Sequence, residues 1–271
     1  MKKLIALAAV ATCGAALAVE SANIVGYNTT DLTTGKGKLS MVGGSFTSVS
    51  GAGFQMNGDM TVSNIKGGSG ASDADTLLMW DPTKFGGAGG YTTFYYYDDG
   101  SEAGWCDPAT DDYVEKSDTY KNGFPAGSAF WFNAIDTATK TITFSGAIED
   151  ADYVEAPLAN GKQLSMIANA YPVALKLNDS TNVAFTGLKG GSGASDSDTL
   201  LMWDSSKFGG AGGYTTFYYY DDGSEKGWCD PATDDWVENS DAYKNGLPAG
   251  MGLWFNPLSA TSHTIQFKKP L

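Results

Sequence analysis

The stretch KGGSGASDADTLLMWDPTKFGGAGGYTTFYYYDDGSEAGWCDPATDDYVEKSDTYKNGFPAG, residues 66–127, decides the fold because it returns almost unchanged at residues 189–250. The correspondence extends from Lys66–Ile148 to Lys189–Leu271 without an insertion, at an offset of 123, and about 60 of the 83 pairs are identical. A period this long exceeds the roughly 20 to 50 residues of solenoid repeats and approaches the size of a small domain. We therefore predict an internal duplication with two similar folding units.

The repeated stretch has the composition of β-strands separated by turns. TLLMW (Thr76–Trp80) and YTTFYYY (Tyr91–Tyr97) are apolar, aromatic or β-branched, and Gly, Ser, Asp and Pro bound them. Side chains alternate along a strand, so Tyr91, Tyr95 and Tyr97 are expected on one face and Phe94 and Tyr96 on the other. No long segment shows helical periodicity, and 35 glycines disfavour helices. The predicted class is all-β, with two tandem homologous β-sandwich or barrel domains.

The N-terminus has the form of a secretory signal peptide. A basic start precedes a short apolar run that ends in Ala16-Leu17-Ala18, which predicts cleavage after Ala18; a lipoprotein that begins at Cys13 is the disfavoured alternative, because Thr12 precedes it. No later segment is apolar for long enough to be a transmembrane helix. The predicted organisation is residues 1–18 signal peptide, 19–148 β domain 1, 149–160 linker or first strand of domain 2, and 161–271 β domain 2.

The chain is strongly acidic and contains no arginine. Its formal net charge is -14, and removal of the two lysines of the signal peptide makes it -16. Arginine supplies the planar fork that recognises phosphate, and nucleic acid binding depends on positive charge. Nucleic acid and anionic membrane surfaces are therefore not expected as partners.

Five motifs together resemble a family of secreted, tandemly repeated hypothetical proteins of environmental bacteria. They are, in order, SANIVGY, SDADTLLMWD, GGAGGYTTFYYY, PAGSAFWF and TITFSG, and they cover nearly the whole chain after the signal peptide. The family has no established activity. The resemblance implies export, β structure and tandem domains, and it assigns no catalytic residue.

Common catalytic groups are scarce in this sequence. The one histidine, His263, has Lys140 as its counterpart in the first copy and is expected to be a surface residue. Cys106 and Cys229 occupy equivalent positions and are expected to be two separate thiols, with a disulfide between them as the alternative. The prediction is that the protein is not an enzyme. Carboxylates are plentiful, so a secreted glycoside hydrolase stays open as a lesser alternative.

Acidic residues cluster at equivalent turns of both copies, where hard oxygen ligands suit calcium. No other cofactor is expected. Calcium coordination is one interpretation, a solvated acidic rim the other; the candidate metal ligands are Asp98, Asp99, Asp107, Asp221, Asp222 and Asp230.

Aromatic side chains recur in both copies and admit two interpretations. They pack between sheets or domains, or one strand face is exposed and forms a platform on which sugar rings stack. The candidate carbohydrate-binding residues are Trp105, Trp228, Tyr96 and Tyr219.

The function expected by elimination is that of a secreted, non-catalytic structural or adhesive protein of the cell surface or extracellular matrix. A pair of carbohydrate-binding modules is the alternative. The expected partners are copies of the protein itself or a surface polysaccharide. Assembly through strand edges is expected at Asn23–Tyr27 and Thr264–Phe267, which contain no proline.

Overall fold

The computed structural model describes residues 25–35, 37–51 and 53–270. Strands dominate these residues, so the predicted all-β class is confirmed. The predicted signal peptide and Cys13 lie outside the described residues. Within the described ranges, no helix has the length and apolar character needed to cross a bilayer.

Within the residues described, each half contributes nine strands in the same order. Those of the first half are β1 (Val25–Leu32), β2 (Lys38–Gly43), β3 (Met60–Val62), β4 (Thr76–Asp81), β5 (Gly90–Asp98), β6 (Ala103–Asp107), β7 (Asp112–Tyr113), β8 (Ala129–Ala134) and β9 (Lys140–Ala147). Those of the second half are β10 (Tyr153–Glu155), β11 (Ser165–Ala168), β12 (Val183–Thr186), β13 (Thr199–Asp204), β14 (Gly213–Asp221), β15 (Lys226–Asp230), β16 (Asp235–Trp236), β17 (Gly252–Asn256) and β18 (Thr264–Lys268).

The helical content is small. Four-residue helical turns span Lys84–Gly87 and Lys207–Gly210, and short 3-10 turns span Val114–Lys116 and Val237–Asn239.

The strands form four antiparallel sheets, two in each half. In the first half the orders are β1-β9-β3 and β2-β8-β4-β5-β6-β7. The second half repeats them as β10-β18-β12 and β11-β17-β13-β14-β15-β16. One of the two predicted alternatives for residues 149–160 was a first strand of the second unit, and β10 lies there.

Each half has its own apolar core, to which both of its sheets contribute. The core of the first half includes Phe94 from β5, Phe130 from β8 and Phe144 from β9, each 0% exposed. Removing one such side chain from water stabilises the fold by about 1.5–3 kcal/mol. The equivalent core of the second half contains Phe217, Phe255 and Phe267, among others.

The alternation predicted for YTTFYYY is present in β5. Phe94 and Tyr96 face the core of the first half, whereas Tyr95 and Tyr97 belong to a separate small cluster on the outer face of the sheet. Tyr91, also on that outer face, lies 5.2 Å from the ring of Trp80. The outer face therefore carries two aromatic groups, one near β4 and one near β6 and β7.

The aromatic group near β4 joins the two halves in a reciprocal way. Trp80 contacts Trp254 at 5.4 Å between ring centroids, and Trp131 contacts Trp203 at 5.2 Å. Trp203 is the counterpart of Trp80, and Trp254 is the counterpart of Trp131. Each half thus offers the same two side chains to the other, which is the pattern of an isologous interface.

Backbone hydrogen bonds follow the same reciprocal pattern where the edges of β2 and β11 meet. The N–H of Gly43 donates to the carbonyl of Gly250 at 2.9 Å, and the N–H of Ala168 donates to the carbonyl of Gly127 at 2.8 Å. A Cβ atom on Gly43 would lie 2.0 Å from the Cβ of Ala168. A glycine is therefore required at position 43 for the halves to approach this closely.

One of the two predicted free edges is wrong. Thr264–Phe267 belongs to β18, which pairs with both β10 and β12 and therefore lies in the middle of its sheet. The other segment is an edge as far as it is described: β1 pairs with β9 alone, and Val25 and Tyr27 on it are 63% and 76% exposed. Asn23 and Ile24 lie outside the described residues.

Candidate functional site

An open pocket of about 290 Å³ lies on the outer face of the first six-stranded sheet, where β5, β6 and β7 meet. Tyr95 pairs with Cys106 across the strands, and Cys106 pairs with Tyr113, so the three side chains stand in one row. Tyr97 and Glu102 complete the wall towards the β5–β6 hairpin. An equivalent pocket of about 310 Å³ occupies the same place in the second half.

Each pocket holds an aspartate on a strained backbone. Asp111 and Asp234 follow β6 and β15 in a turn and have φ values of 57° and 52°, in the left-handed region that costs a non-glycine residue about 1 kcal/mol or more. The hydroxyl of Tyr218 donates to Asp234 Oδ1 at 2.6 Å, and the hydroxyl of Tyr95 donates to Asp111 Oδ1. The turn thus directs one carboxylate into each pocket, where a tyrosine holds it.

The pockets carry negative charge, and their tyrosine and cysteine side chains stay protonated. Burial, with the hydrogen bond to Asp111, raises the pKa of Tyr95 well above its ordinary value. Burial also raises the pKa of the Cys106 and Cys229 thiols, and nearby aspartates add to that rise. Since the thiolate is the nucleophilic form of cysteine, these buried thiols are poorly suited to covalent chemistry.

Both cysteines are buried free thiols, as expected from the sequence. They lie on β6 and β15, the equivalent strands of the two halves.

The two pockets differ at two positions. Over residues 66–127 and 189–250 only eight of 62 positions differ. Two of them are wall residues of the first pocket: Tyr113 is replaced by Trp236, which lines the second pocket, and Lys116 is replaced by Asn239, which lines the neighbouring cleft. In the first pocket the ammonium of Lys116 lies 3.1 Å from Asp112 Oδ1 and 4.8 Å from the ring centroid of Tyr113. The second half has no lysine at this position.

The sequence did not single out Lys116 or Tyr113 as site residues. The available signal was their replacement between two copies that are otherwise nearly identical. Such a difference stands out against the background of the repeat.

The aromatic residues predicted to bind carbohydrate face inward. Trp105 and Trp228 are 2% and 1% exposed, and Tyr96 and Tyr219 pack against them at 5.4 Å between ring centroids. Trp105 and Trp228 face the cores because they occupy the opposite strand face from Cys106 and Cys229. A sugar ring has no access to the tryptophan faces in this arrangement.

The aspartates predicted to bind calcium are divided between the two ends of β6 and of β15. Asp98 pairs with Ala103 at the hairpin end, and Asp107 is about 13 Å further along β6 at the usual strand rise. Within the residues that the structure describes, no three His, Cys, Asp or Glu side chains are grouped as a metal site.

The carboxylates at the hairpin end serve the turn itself. Asp99 accepts hydrogen bonds from the N–H and hydroxyl of Ser101 and from the N–H of Glu102, and Asp222 does the same in the second half. The buried Asp107 and Asp230 each accept from a backbone N–H two residues further on. These aspartates have structural partners in place.

The expectation of a surface histidine is wrong. The His263 side chain is 4% exposed, and its Nε2 lies 3.1 Å from Oδ2 of Asp198, which is 0% exposed. In the first half Lys140 makes the same contact with Asp75 at 3.0 Å, with both side chains 0% exposed. His263 is therefore buried because it replaces a lysine that pairs with a buried carboxylate.

A second duplicated feature is an exposed phenylalanine on a glycine-rich turn. Phe85 and Phe208 are each 83% exposed, and both have left-handed backbones, with φ values of 54° and 52°. The flanking sequence KFGGAGG is the same in both halves. The sequence signal was a single large apolar residue among glycines, where no core contact is available.

The pocket geometry suits the binding of a polar or cationic group. It offers hydroxyls, carboxylates and aromatic edges, whereas the one histidine of the chain is engaged elsewhere. No protein-family model, curated protein or solved structure matches this chain.

Proposed function

We propose that this protein is a secreted, non-catalytic structural or adhesive component of the cell surface or extracellular matrix. It consists of two tandem β-sandwich domains that arose by internal duplication. In each domain, a three-stranded sheet packs on a six-stranded sheet, and the reciprocal tryptophan contacts hold the domains together. Two copies of one binding surface in one chain suit adhesion, since two simultaneous contacts strengthen a weak one.

The observation that carries this proposal is the pair of exposed phenylalanines. A left-handed backbone at a bulky residue costs on the order of 1–3 kcal/mol, and a ring that is 83% exposed gains little for folding. Asparagine occupies the same conformation at lower cost. Each ring lies against a glycine of its own turn, Gly90 or Gly213, and leaves most of its surface in water, which is the pattern of residues that bind something outside the protein.

The partner that fits these turns is a neutral surface polysaccharide. The turns carry Lys84 and Lys207 but no carboxylate, and an aromatic ring offers a flat apolar face to the C–H groups of a sugar. The net charge of -14 disfavours acidic polymers. Self-association through the same turns is the competing outcome.

The absence of catalysis is supported by the state of the usual catalytic groups. The thiol pKa values of Cys106 and Cys229 are raised by burial, so thiolate is scarce at neutral pH. His263 pairs with Asp198 inside the second half. With its thiols protonated and its histidine paired, the chain is better suited to holding surfaces together than to cysteine or histidine catalysis.

The test replaces Phe85 and Phe208 with asparagine. The double variant is expected to keep or raise the melting temperature, because asparagine relieves the backbone strain, and to lose binding to immobilised neutral polysaccharides and to isolated cell-envelope fractions. Each single variant is expected to lose about tenfold or more in apparent affinity, because only one contact remains. Val49→Asn, at an apolar side chain that is 56% exposed, is the matched control and is expected to bind normally.

Two results would contradict the proposal. If the double variant binds polysaccharide and envelope like the wild type, the phenylalanines are not the adhesive residues. If fractionation of the native source leaves the protein free in the medium, and it binds neither cells nor polysaccharide, the adhesive function is wrong. Loss of self-association alone, seen by sedimentation velocity, identifies the partner as the protein itself.

A further inference from the structure

The two outer-face pockets are nearly identical, and one of them already holds a cation. In the first pocket Lys116 places its ammonium beside Asp112 at 3.1 Å and over the ring of Tyr113 at 4.8 Å. An ammonium within about 6 Å of an aromatic centroid is attracted by the ring quadrupole. The hydrogen bond to Asp112 raises the pKa of Lys116, as expected for a bound ammonium. The Lys116 and Asp112 side chains are 60% and 49% exposed, so the chain's own ammonium group lies at the open rim of the first pocket.

The second pocket keeps the anionic and aromatic walls but has lost that lysine. Glu225, Asp234 and Asp235 correspond to Glu102, Asp111 and Asp112. Asn239 stands in place of Lys116, and its Nδ2 donates to Asp235 Oδ1 at 3.0 Å. The carboxylates that face an ammonium in the first half therefore have a neutral amide beside them in the second.

The replacement of Tyr113 by Trp236 makes the aromatic wall of the second pocket more favourable for a cation. Trp236 stands in place of Tyr113, and tryptophan has the most favourable aromatic face for a cation. Its ring meets that of Tyr220 edge to face at 6.0 Å and 70°, which forms an aromatic corner.

Lys226, which has no lysine counterpart in the first half, does not take the place of Lys116. Lys226 replaces Ala103 and lines the neighbouring cleft with Lys176, and that cleft shares Glu225 and Trp236 with the second pocket. It occupies the opposite face of β15 from Gly227 and Cys229. The pocket of about 310 Å³ has room for an alkylammonium group.

We infer that the second pocket binds an external alkylammonium group, either a small amine or a lysine side chain of a partner, between Trp236 and the carboxylates of Asp234 and Asp235. The site is separate from the phenylalanine turns and does not depend on the adhesive function. The first pocket is an internal control, because its own lysine occupies the equivalent position.

The two sources of the ligand are tested with separate probes. n-Butylammonium represents a free amine, and Nα-acetyllysine methylamide represents a lysine side chain; Nα-acetylnorleucine methylamide has a similar chain without the charge. The titration follows the indole N–H signals of the seven tryptophans by two-dimensional NMR, and the signal of Trp236 is identified by its loss in Trp236→Tyr. Isothermal titration calorimetry counts the equivalents bound and gives the affinity of Lys116→Asn and Trp236→Ala, in which no indole signal reports the change.

The wild type is expected to bind one equivalent of a cationic probe, with a shift of the Trp236 signal. Asn239→Lys is expected to abolish this shift, because the chain then fills the second pocket as it fills the first. Lys116→Asn is expected to add a second equivalent. Trp236→Ala is expected to weaken binding about twofold to thirtyfold. The lysine and asparagine exchanges each install a residue that the other half already carries, so the fold accommodates them.

Three outcomes would overturn the inference. The first is an Asn239→Lys variant that binds the cationic probes as tightly as the wild type. The second is an equal shift with the norleucine compound, which would mean apolar contact only. The third is no shift of the Trp236 signal by either amine. If only the lysine compound binds, the ligand is a partner's lysine rather than a free amine.

Discussion

Replacement of Lys140 by methionine tests whether the buried ion pair stabilises the first half. Lys140 and Asp75 are both 0% exposed, and their charged atoms lie 3.0 Å apart. Methionine fills the space of the aliphatic stem but leaves the Asp75 carboxylate uncompensated. It also removes the contacts of the ammonium with Asp136 Oδ1 at 3.0 Å and with the carbonyl of Asn64. Removing one partner of a buried pair typically costs about 3–5 kcal/mol. Asp75 keeps two backbone donors, the N–H groups of Lys66 and Ile135, so we expect about 3 kcal/mol, the lower end of that range.

The matched control is a pair of nearly the same length at the surface. Lys121 lies 2.9 Å from Asp118, with the two side chains 55% and 96% exposed. Lys121→Met is expected to cost at most about 1 kcal/mol, because water screens this pair. Lys140→His reproduces the pairing of His263 with Asp198 in the second half and is expected to cost less than Lys140→Met.

The assay is urea unfolding followed by circular dichroism, with the free energy of unfolding obtained from the midpoint and slope. An unchanged slope with a lower midpoint identifies a change in stability rather than in compactness. If Lys140→Met and Lys121→Met differ by less than about 1 kcal/mol, the buried pair does not stabilise the fold in the way the burial of its two charges implies.

Gly43→Val is expected to destabilise the protein by about 1–3 kcal/mol or more through overpacking, because its Cβ would lie 2.0 Å from Ala168 Cβ. Gly44→Val is the comparison in the same urea assay, since the nearest atom to its Cβ is 3.6 Å away; equal losses would contradict the close approach. Acid is expected to destabilise the two hairpins. The backbone N–H of Glu102 and then Ser101 donate hydrogen bonds to Asp99, and Glu225 and Ser224 do the same for Asp222. These hydrogen bonds hold the pKa of both aspartates below the usual 3.8. The stability that these two aspartates add is complete above pH 3.8 and is lost as the pH falls below it. The fall in melting temperature in acid should therefore be smaller in the double variant Asp99→Asn and Asp222→Asn. The same acid profile in the variant and the wild type would contradict this cause.

The sequence allowed the strands of the repeat to be predicted because its pattern is local. The alternation from Tyr91 to Tyr97 placed Phe94 and Tyr96 on one face, and both face the core. The pattern does not say which face is covered, however. Packing and an exposed platform were both open for Trp105, and it is buried because the covering sheet comes from β1, β3 and β9, which are distant in sequence.

Long-range pairing also explains the other errors. Thr264–Phe267 comes at the end of the chain, but β10 and β12 flank it on both sides. His263 has polar neighbours in sequence, and its burial follows from Asp198, 65 residues away. The outer-face pocket was not predicted, although the sequence shows that Lys116 and Tyr113 differ between the copies. Only the fold shows that these two side chains lie together in one pocket.

The reciprocal contact between the halves has a consequence for concentrated solutions. The first half of one molecule offers the second half of another molecule the same tryptophans and glycine edge that it offers its own. Pairing within one chain is favoured over pairing between two chains only because the short connection through residues 149–160 gives the two halves a high effective concentration of each other. Two chains that trade halves form a dimer without any new contact. Such exchange would leave the circular dichroism spectrum unchanged while doubling the mass.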